Sequence, residues 1–338
     1  MNGCILMFGM PRSGTTWVGK LIDSHPDTLY RHEPDSVQRL SLPLYPEVQS
    51  AADYRDELQR FVAALPYKRA PKVVGKQPLF PKRYHSGAAL GMYRLSVAAA
   101  KAASRVKPHC PCPYRPTAAG GANARVVWKS IESPGRLGVC MQALPEARAI
   151  FLMRHPCGYV ASVLRGEAAR RFSDSKPSAD DLWMLEALLA TSSGKARGIG
   201  IDDLKSLTPE ERLAWRWVLT QEKVLADVAD CERVLTLRYE DICADPLTMT
   251  WRLLAFVGLE WSAQVDAFVQ ASTRVGDATR ETDYYSVYKQ PHVAAERWRS
   301  ELAPEVIERI MRIFRGSRLH RLYSEQMPAR SPLPEVTG

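Results

Sequence analysis

The 338-residue sequence has no apolar run long enough to span a bilayer; its most hydrophobic stretch, residues 88–103, is interrupted by Arg94 and Lys101. It opens without the basic region and apolar core of a secretory signal. Blocks of basic charge are missing too. The 46 Lys and Arg against 37 Asp and Glu give a net charge of +9, yet they are scattered along the chain. That pattern argues against nucleic acid as the partner while favouring smaller anions such as nucleotides and acidic glycans. Cys110 and Cys112 have no second pair to complete a zinc site. The seven cysteines, odd in number and widely spaced, read as reduced thiols, which predicts a soluble, cytoplasmic protein. No internal repeat is visible.

What is present is an alternation of Val/Ile/Leu-rich strands with helical patterns, the signature of a mostly parallel sheet flanked by helices. Strands are expected over residues 4–8, 126–129, Arg148–Met153 and Val234–Arg238, with a short strand-like piece over residues 28–30. Helices are expected over residues 15–24, 136–143, 156–166 and 246–257, the last two opening with proline in the first turn. Thr208 with Glu211 reads as a capping box for a helix that runs through Trp215 and Trp217. These tryptophans and Trp251 read as core at helical spacing. Residues 107–124 read as loop, residues 170–207 as an insertion over a substrate site, and residues 328–338 as a disordered tail on a single domain spanning 1–327.

The run Cys4 to Trp17, CILMFGMPRSGTTW, carries the chemistry. A strand, a glycine turn and a helix start make an anion cradle, because N–H groups and the helix dipole converge there. Gly9 and Gly14 are spaced as in the nucleoside-triphosphate loop G-x-x-x-x-G-K-[ST], but Thr15 stands where that loop needs lysine. The cation sits inside the turn instead, at Arg12. A metal-bound γ-phosphate is poorly served by such a loop; a metal-free diphosphate-like anion fits.

Four segments in order resemble the sulfotransferases that use 3′-phosphoadenosine 5′-phosphosulfate (PAPS). They are PRSGTTW at residues 11–17, FLMRHPCGYVAS with Arg154 and Ser162, RYEDICADP at residues 238–246, and ERWRSEL at residues 296–302. The resemblance implies a P-loop-like three-layer α/β domain with a central parallel sheet and helical insertions. It implies PAPS as sulfuryl donor, adenosine 3′,5′-bisphosphate (PAP) as product, and a hydroxylated acceptor: a saccharide, a tyrosine, a lipid or a natural product.

By the same resemblance Arg12, Ser13, Gly14, Thr15 and Thr16 hold the 5′-phosphosulfate, Arg154 and Ser162 the 3′-phosphate, and Trp17 and Tyr239 the adenine. Lys289 or Arg297 replaces a triplet missing from the fourth segment. Glu33, in YRHEP, occupies the place of the glutamate base in glycan and protein-tyrosine members. His32 is the alternative base, and Lys129 a candidate for the sulfuryl oxygens. The histidine of the small-molecule branch is absent, since the chain reads Lys129-Ser130-Ile131 there. Transfer without a metal is expected. The rival readings are a P-loop nucleotide kinase and a non-catalytic nucleotide- or glycan-binding protein on the same scaffold.

Overall fold

The computed structural model describes residues 3–85, 87–106, 110–113, 124–169, 177–274 and 290–324. The tail at 328–338, most of the 107–124 loop and Lys289 therefore lie outside the described residues. Strands β1 (Ile5–Gly9), β2 (Thr28–His32), β3 (Arg125–Ser130), β4 (Arg148–Met153) and β5 (Val234–Arg238) form one sheet in the order β2-β3-β1-β4-β5. Every pairing is parallel, with Met7 level with Lys129, His32 level with Lys129, and Met153 level with Arg238.

The inner strands β1 and β4 are apolar on both faces because helices cover both. Leu6, Phe8, Trp128 and Phe151 pack on one side, where Phe8 and Phe61 meet the Trp128 ring at 5.0 and 4.7 Å. Ile5, Met7, Ile150 and Leu152 pack on the other, against Trp17, Leu21 and Tyr239. Burying rings of this size stabilises the fold by roughly 2–3 kcal/mol each before entropy is counted.

Helix α1 (Thr15–Asp23) follows β1, and α2 (Ala51–Ala64) packs on α3 (Leu137–Ala143). Helix α4 (Pro156–Ala168) follows β4. In the predicted insertion, the described part carries α5 (Leu182–Leu189), which packs on the long helix α6 (Pro209–Asp227). The cap of α6 forms as expected: Glu211 N–H donates to Thr208 Oγ1, and Thr208 N–H donates back to the Glu211 carboxylate. Helix α7 (Tyr239–Ala244) follows β5 directly, and α8 (Pro291–Glu296) packs against it.

Trp217 is fully buried in the core and Trp215 packs beside it, but Trp251 is only half-buried and joins none of the buried clusters. No helix among the described residues is long and apolar enough to cross a membrane.

Candidate active site

Parallel strands all point their carboxyl ends the same way, and a crevice opens where the chain order reverses. Here that point is β1, whose neighbours β3 and β4 come later in the chain. A cavity of about 1130 Å³ lies at this edge, at the upper end of ligand-pocket volumes and roomy enough for two substrates. Each strand delivers a predicted site residue into its wall: the glycine turn after β1, Glu33 after β2, Lys129 near the end of β3, Arg154 after β4 and Tyr239 after β5.

The turn after β1 holds Arg12 (φ 70°) and Gly14 (φ 88°) in left-handed backbone. A Cβ at position 14 would fall 2.4 Å from the Tyr239 ring, so only glycine fits there on two counts. Ser13 N–H closes the turn on the Met10 carbonyl (3.2 Å), and Trp17 N–H bonds the Gly14 carbonyl (3.1 Å). The N–H groups at Gly14, Thr15 and Thr16 thus start the helix without a carbonyl one turn back, as in any anion-binding helix start.

Ser13 departs from expectation. The left-handed kink at Arg12 turns it inward, so it is completely buried, its Oγ has no partner among the described residues, and it does not line the cavity. Its N–H is also spent on the turn. Of the expected cradle residues 13–16, those that line the cavity are Gly14, Thr15 and Thr16.

Beside the cradle, Arg12 Nε donates to Ser162 Oγ (3.1 Å), joining two segments 150 residues apart. Arg154 donates to the Arg12 carbonyl (2.9 Å) and the Ala294 carbonyl (2.7 Å), and its guanidinium lies 5.0 Å over the Tyr239 ring. Gly158 leaves the room for it, since a Cβ there would meet Arg154 Nε at 2.9 Å. Arg154 Nε is buried with no partner among the described residues. Arg165, one turn after Ser162 on α4, donates to Ser162 Oγ (3.3 Å) and pairs with Glu301. Arg297 reaches the same Glu301 at 3.2 Å and lines the cavity. Trp17 lies edge-on to Tyr239, with centroids 6.1 Å apart, and its indole N–H donates to Ser272 (3.1 Å). Both rings line the cavity.

Across the cavity stands the ion pair of Glu33 and Lys129, both almost wholly buried. Glu33 (φ 47°) and Arg12 are the only non-glycine residues with positive φ among the described residues. Such backbone costs on the order of 1–2 kcal/mol per residue and gathers at functional sites. Glu33 is pinned by its N–H to the Lys129 carbonyl (2.7 Å). Two residues on, Asp35 accepts from Trp128 Nε1 (3.3 Å), Ser133 Oγ (2.7 Å) and Ser130 Oγ. Burial pulls the Lys129 ammonium below the usual lysine value, while the Glu33 charge pulls it back up.

Among the described residues Lys129 and His32 both approach Glu33 Oε1, the latter at 3.5 Å, and Lys72 approaches Oε2 at 4.0 Å. Burial, aided by Lys129, holds His32 well below the usual histidine value, so its ring is neutral. Tyr30, whose phenol burial keeps protonated, lies 3.0 Å from His32 Nδ1. The Glu33 carboxylate 3.5 Å from Nε2 favours the tautomer with its proton on Nε2, in which Nδ1 accepts from the Tyr30 hydroxyl. In that tautomer His32 supports the carboxylate, and its lone pair is engaged by Tyr30.

Tyr45, Glu132 and Arg216, from segments the sequence did not mark as site, also line the cavity, together with Tyr159 from the Arg154–Ser162 segment and Asp181 to Met184 from the insertion expected over a substrate site. Arg165 and Tyr159 could have been found from their one-turn spacing to Ser162 on α4. Arg216 carries no local signal, because Trp215-Arg216-Trp217 reads as a buried helix face with one polar interruption.

A family model described as "Sulfotransferase family" matches residues 4–263. Carbohydrate sulfotransferase 1 of Mus musculus is 23% identical over 345 residues, covering 90% of this chain and 75% of that protein. The Homo sapiens protein of the same name is 22% identical over 328 residues, with the same coverage. Among solved structures, the sulfotransferase domain from the curacin biosynthetic pathway aligns over 97% of this chain and 99% of that one, with a TM-score of 0.47 and 14% identity.

Proposed function

The chain belongs to the sulfotransferase family, and from that premise we propose how it moves the sulfuryl group of PAPS to an acceptor hydroxyl and what the acceptor is. The donor's phosphosulfate lies on the N–H groups of residues 14–16 with Arg12 beside the bridging oxygen. Arg154, Ser162, Arg165 and Arg297 select the 3′-phosphate, with Arg297 in the role left open between it and Lys289. Tyr239 and Trp17 flank the adenine. The residues present suit such a donor: four arginines, a helix start and two aromatic rings border one wall of the cavity, and buried Arg154 Nε awaits an acceptor atom.

Glu33 takes the proton of the acceptor hydroxyl as its oxygen attacks sulfur. A new O–S bond forms while the S–O bond to the 5′-phosphate breaks, and PAP leaves with that electron pair. Oε2 is the oxygen that receives the proton, because Oε1 is engaged by Lys129 and His32. A carboxylate bound to an ammonium is a weak base. Sulfuryl oxygens near Lys129 share its charge and release Glu33 toward the acceptor, so base strength arises only when the donor is in place. Sulfuryl groups carry less charge than phosphoryl groups, which makes a metal unnecessary. A kinase lacks support because Thr15 stands in the lysine position of the loop.

The acceptor is a saccharide, following the carbohydrate sulfotransferase relatives, and residues 177–184 form part of its site within one domain. Seven unpaired cysteines favour a cytoplasmic setting. The observation that carries the reading is the buried Glu33–Lys129 pair facing an arginine-rich helix start across one cavity. Its test is transfer of labelled sulfuryl from PAPS to a panel of saccharides. Product forms with PAPS and not with adenosine 5′-phosphosulfate; equal use of both would remove the assigned 3′-phosphate site.

A further inference from the structure

Arg216 differs from every other arginine described in this cavity. It projects from the middle of α6 into the space bordered by Tyr45, Tyr159, Asp181 and Glu132. The next residue, Trp217, is locked in the core, so the helix cannot rotate to carry Arg216 out to solvent. Its Nε is buried without a partner, and among the described residues the side chain makes no hydrogen bond or ion pair. Asp181 and Glu132 stay beyond ion-pair distance. Burial, with Asp35 and Glu33 nearby, holds the Glu132 carboxyl above the usual carboxylate range, which weakens it as a competitor for the cation.

A permanently charged guanidinium held half-buried and unpaired is costly. It persists where a ligand supplies the missing anion, and its planar fork suits a carboxylate or a sulfate held by two parallel bonds. The donor's anions have their own partners at residues 14–16, Arg12, Arg154 and Ser162. Tyr45 and Glu132 lie instead in the segments that follow Glu33 and Lys129 in the chain, which places Arg216 on the acceptor's side.

We propose that Arg216 is a specificity residue that binds an anionic substituent of the acceptor, so that the substrate is an acidic saccharide bearing a carboxylate or sulfate besides its reacting hydroxyl. This rests on the reading of the cavity as a sulfotransferase site with a saccharide acceptor.

The test is calorimetric titration of the PAP-loaded protein with a glucuronic-acid-terminated disaccharide and with its methyl ester. The acid binds about tenfold tighter or more, the worth of one charged hydrogen-bonded pair. Arg216→Gln abolishes the preference and Arg216→Lys keeps part of it, while PAP affinity, which also reports a folded protein, is the same in all three. Equal binding of acid and ester by the wild type, a preference that survives Arg216→Gln, or a fall in PAP affinity in that variant would each overturn the proposal. Acid preference without sulfuryl transfer to any acceptor would instead contradict the assigned reaction and leave the anion site standing.

Discussion

The two ends of the cavity are built on opposite principles. At the end assigned above to the donor, cations already have partners: Arg12 bonds Ser162, Arg154 bonds two carbonyls, and Arg165 and Arg297 share Glu301. At the end proposed for the acceptor Arg216 has none among the described residues. A donor site whose charges are fixed before the substrate arrives spends no energy on rearranging them, which is how preorganised dipoles lower a barrier. An acceptor site with an unspent charge discriminates instead, because the wrong ligand leaves that charge buried and alone. The Glu33–Lys129 pair stands between the two, closed in this structure and answerable to both substrates.

That contrast breaks first at Lys129. Lys129→Met removes the partner of a buried carboxylate and the cation assigned to the sulfuryl oxygens. Turnover should fall by roughly a thousandfold, the scale of losing one charge-stabilising donor, with PAP affinity within about threefold of wild type by calorimetry. Loss of PAP binding to the same extent as turnover would move Lys129 into the donor site.

Arg154→Ala probes the preorganised end. It deletes the link between the Arg12 and Ala294 carbonyls along with the assigned 3′-phosphate contact, and PAP affinity should fall by about ten- to a hundredfold. With saturating donor, turnover should fall much less. Unchanged PAP affinity would mean that Arg154 serves only to tie the segments together.

The smallest effect is in pH. His155 stacks on Trp298 at 4.7 Å, and burial pushes its pKa down to about 4. The unfolded chain binds this proton below the ordinary value near 6.5, whereas the folded protein resists it to about 4. Its contribution to stability is therefore whole above the unfolded value and lost as pH falls, by at most about 1.4 kcal/mol per pH unit. His155→Phe should flatten that part of the stability–pH curve in denaturant titrations. An unchanged slope would show that other groups set it.

How far the sequence spoke depends on the same contrast. β1 and β4 were legible because both faces are buried and the residues are correspondingly apolar, whereas β2, TLYRH, showed only as a short strand-like piece. Arg12, Arg154 and Tyr239 were found together in one cavity because they sit within a few positions of strand ends, where a local pattern marks the element and its carboxyl-end loop together. That Ser13 does not line the cavity was not legible, because the left-handed turn at Arg12 has no signature in a non-glycine residue. Trp251 was misplaced because helical spacing does not say which face of a helix is covered. Asp35 and Arg216 were silent because their partners or their isolation are tertiary facts: Asp35 gathers donors more than 90 residues away, and Arg216 is defined by what does not reach it.

The most direct test of the account is Glu33→Gln, measured for PAP affinity and for a single turnover with PAPS and a saccharide acceptor. The substitution keeps the shape and removes the proton acceptor. PAP should bind as in the wild type, and the transfer rate should fall by at least about a hundredfold. Transfer within a few-fold of wild type would contradict the account, because Glu33 would then not be the base.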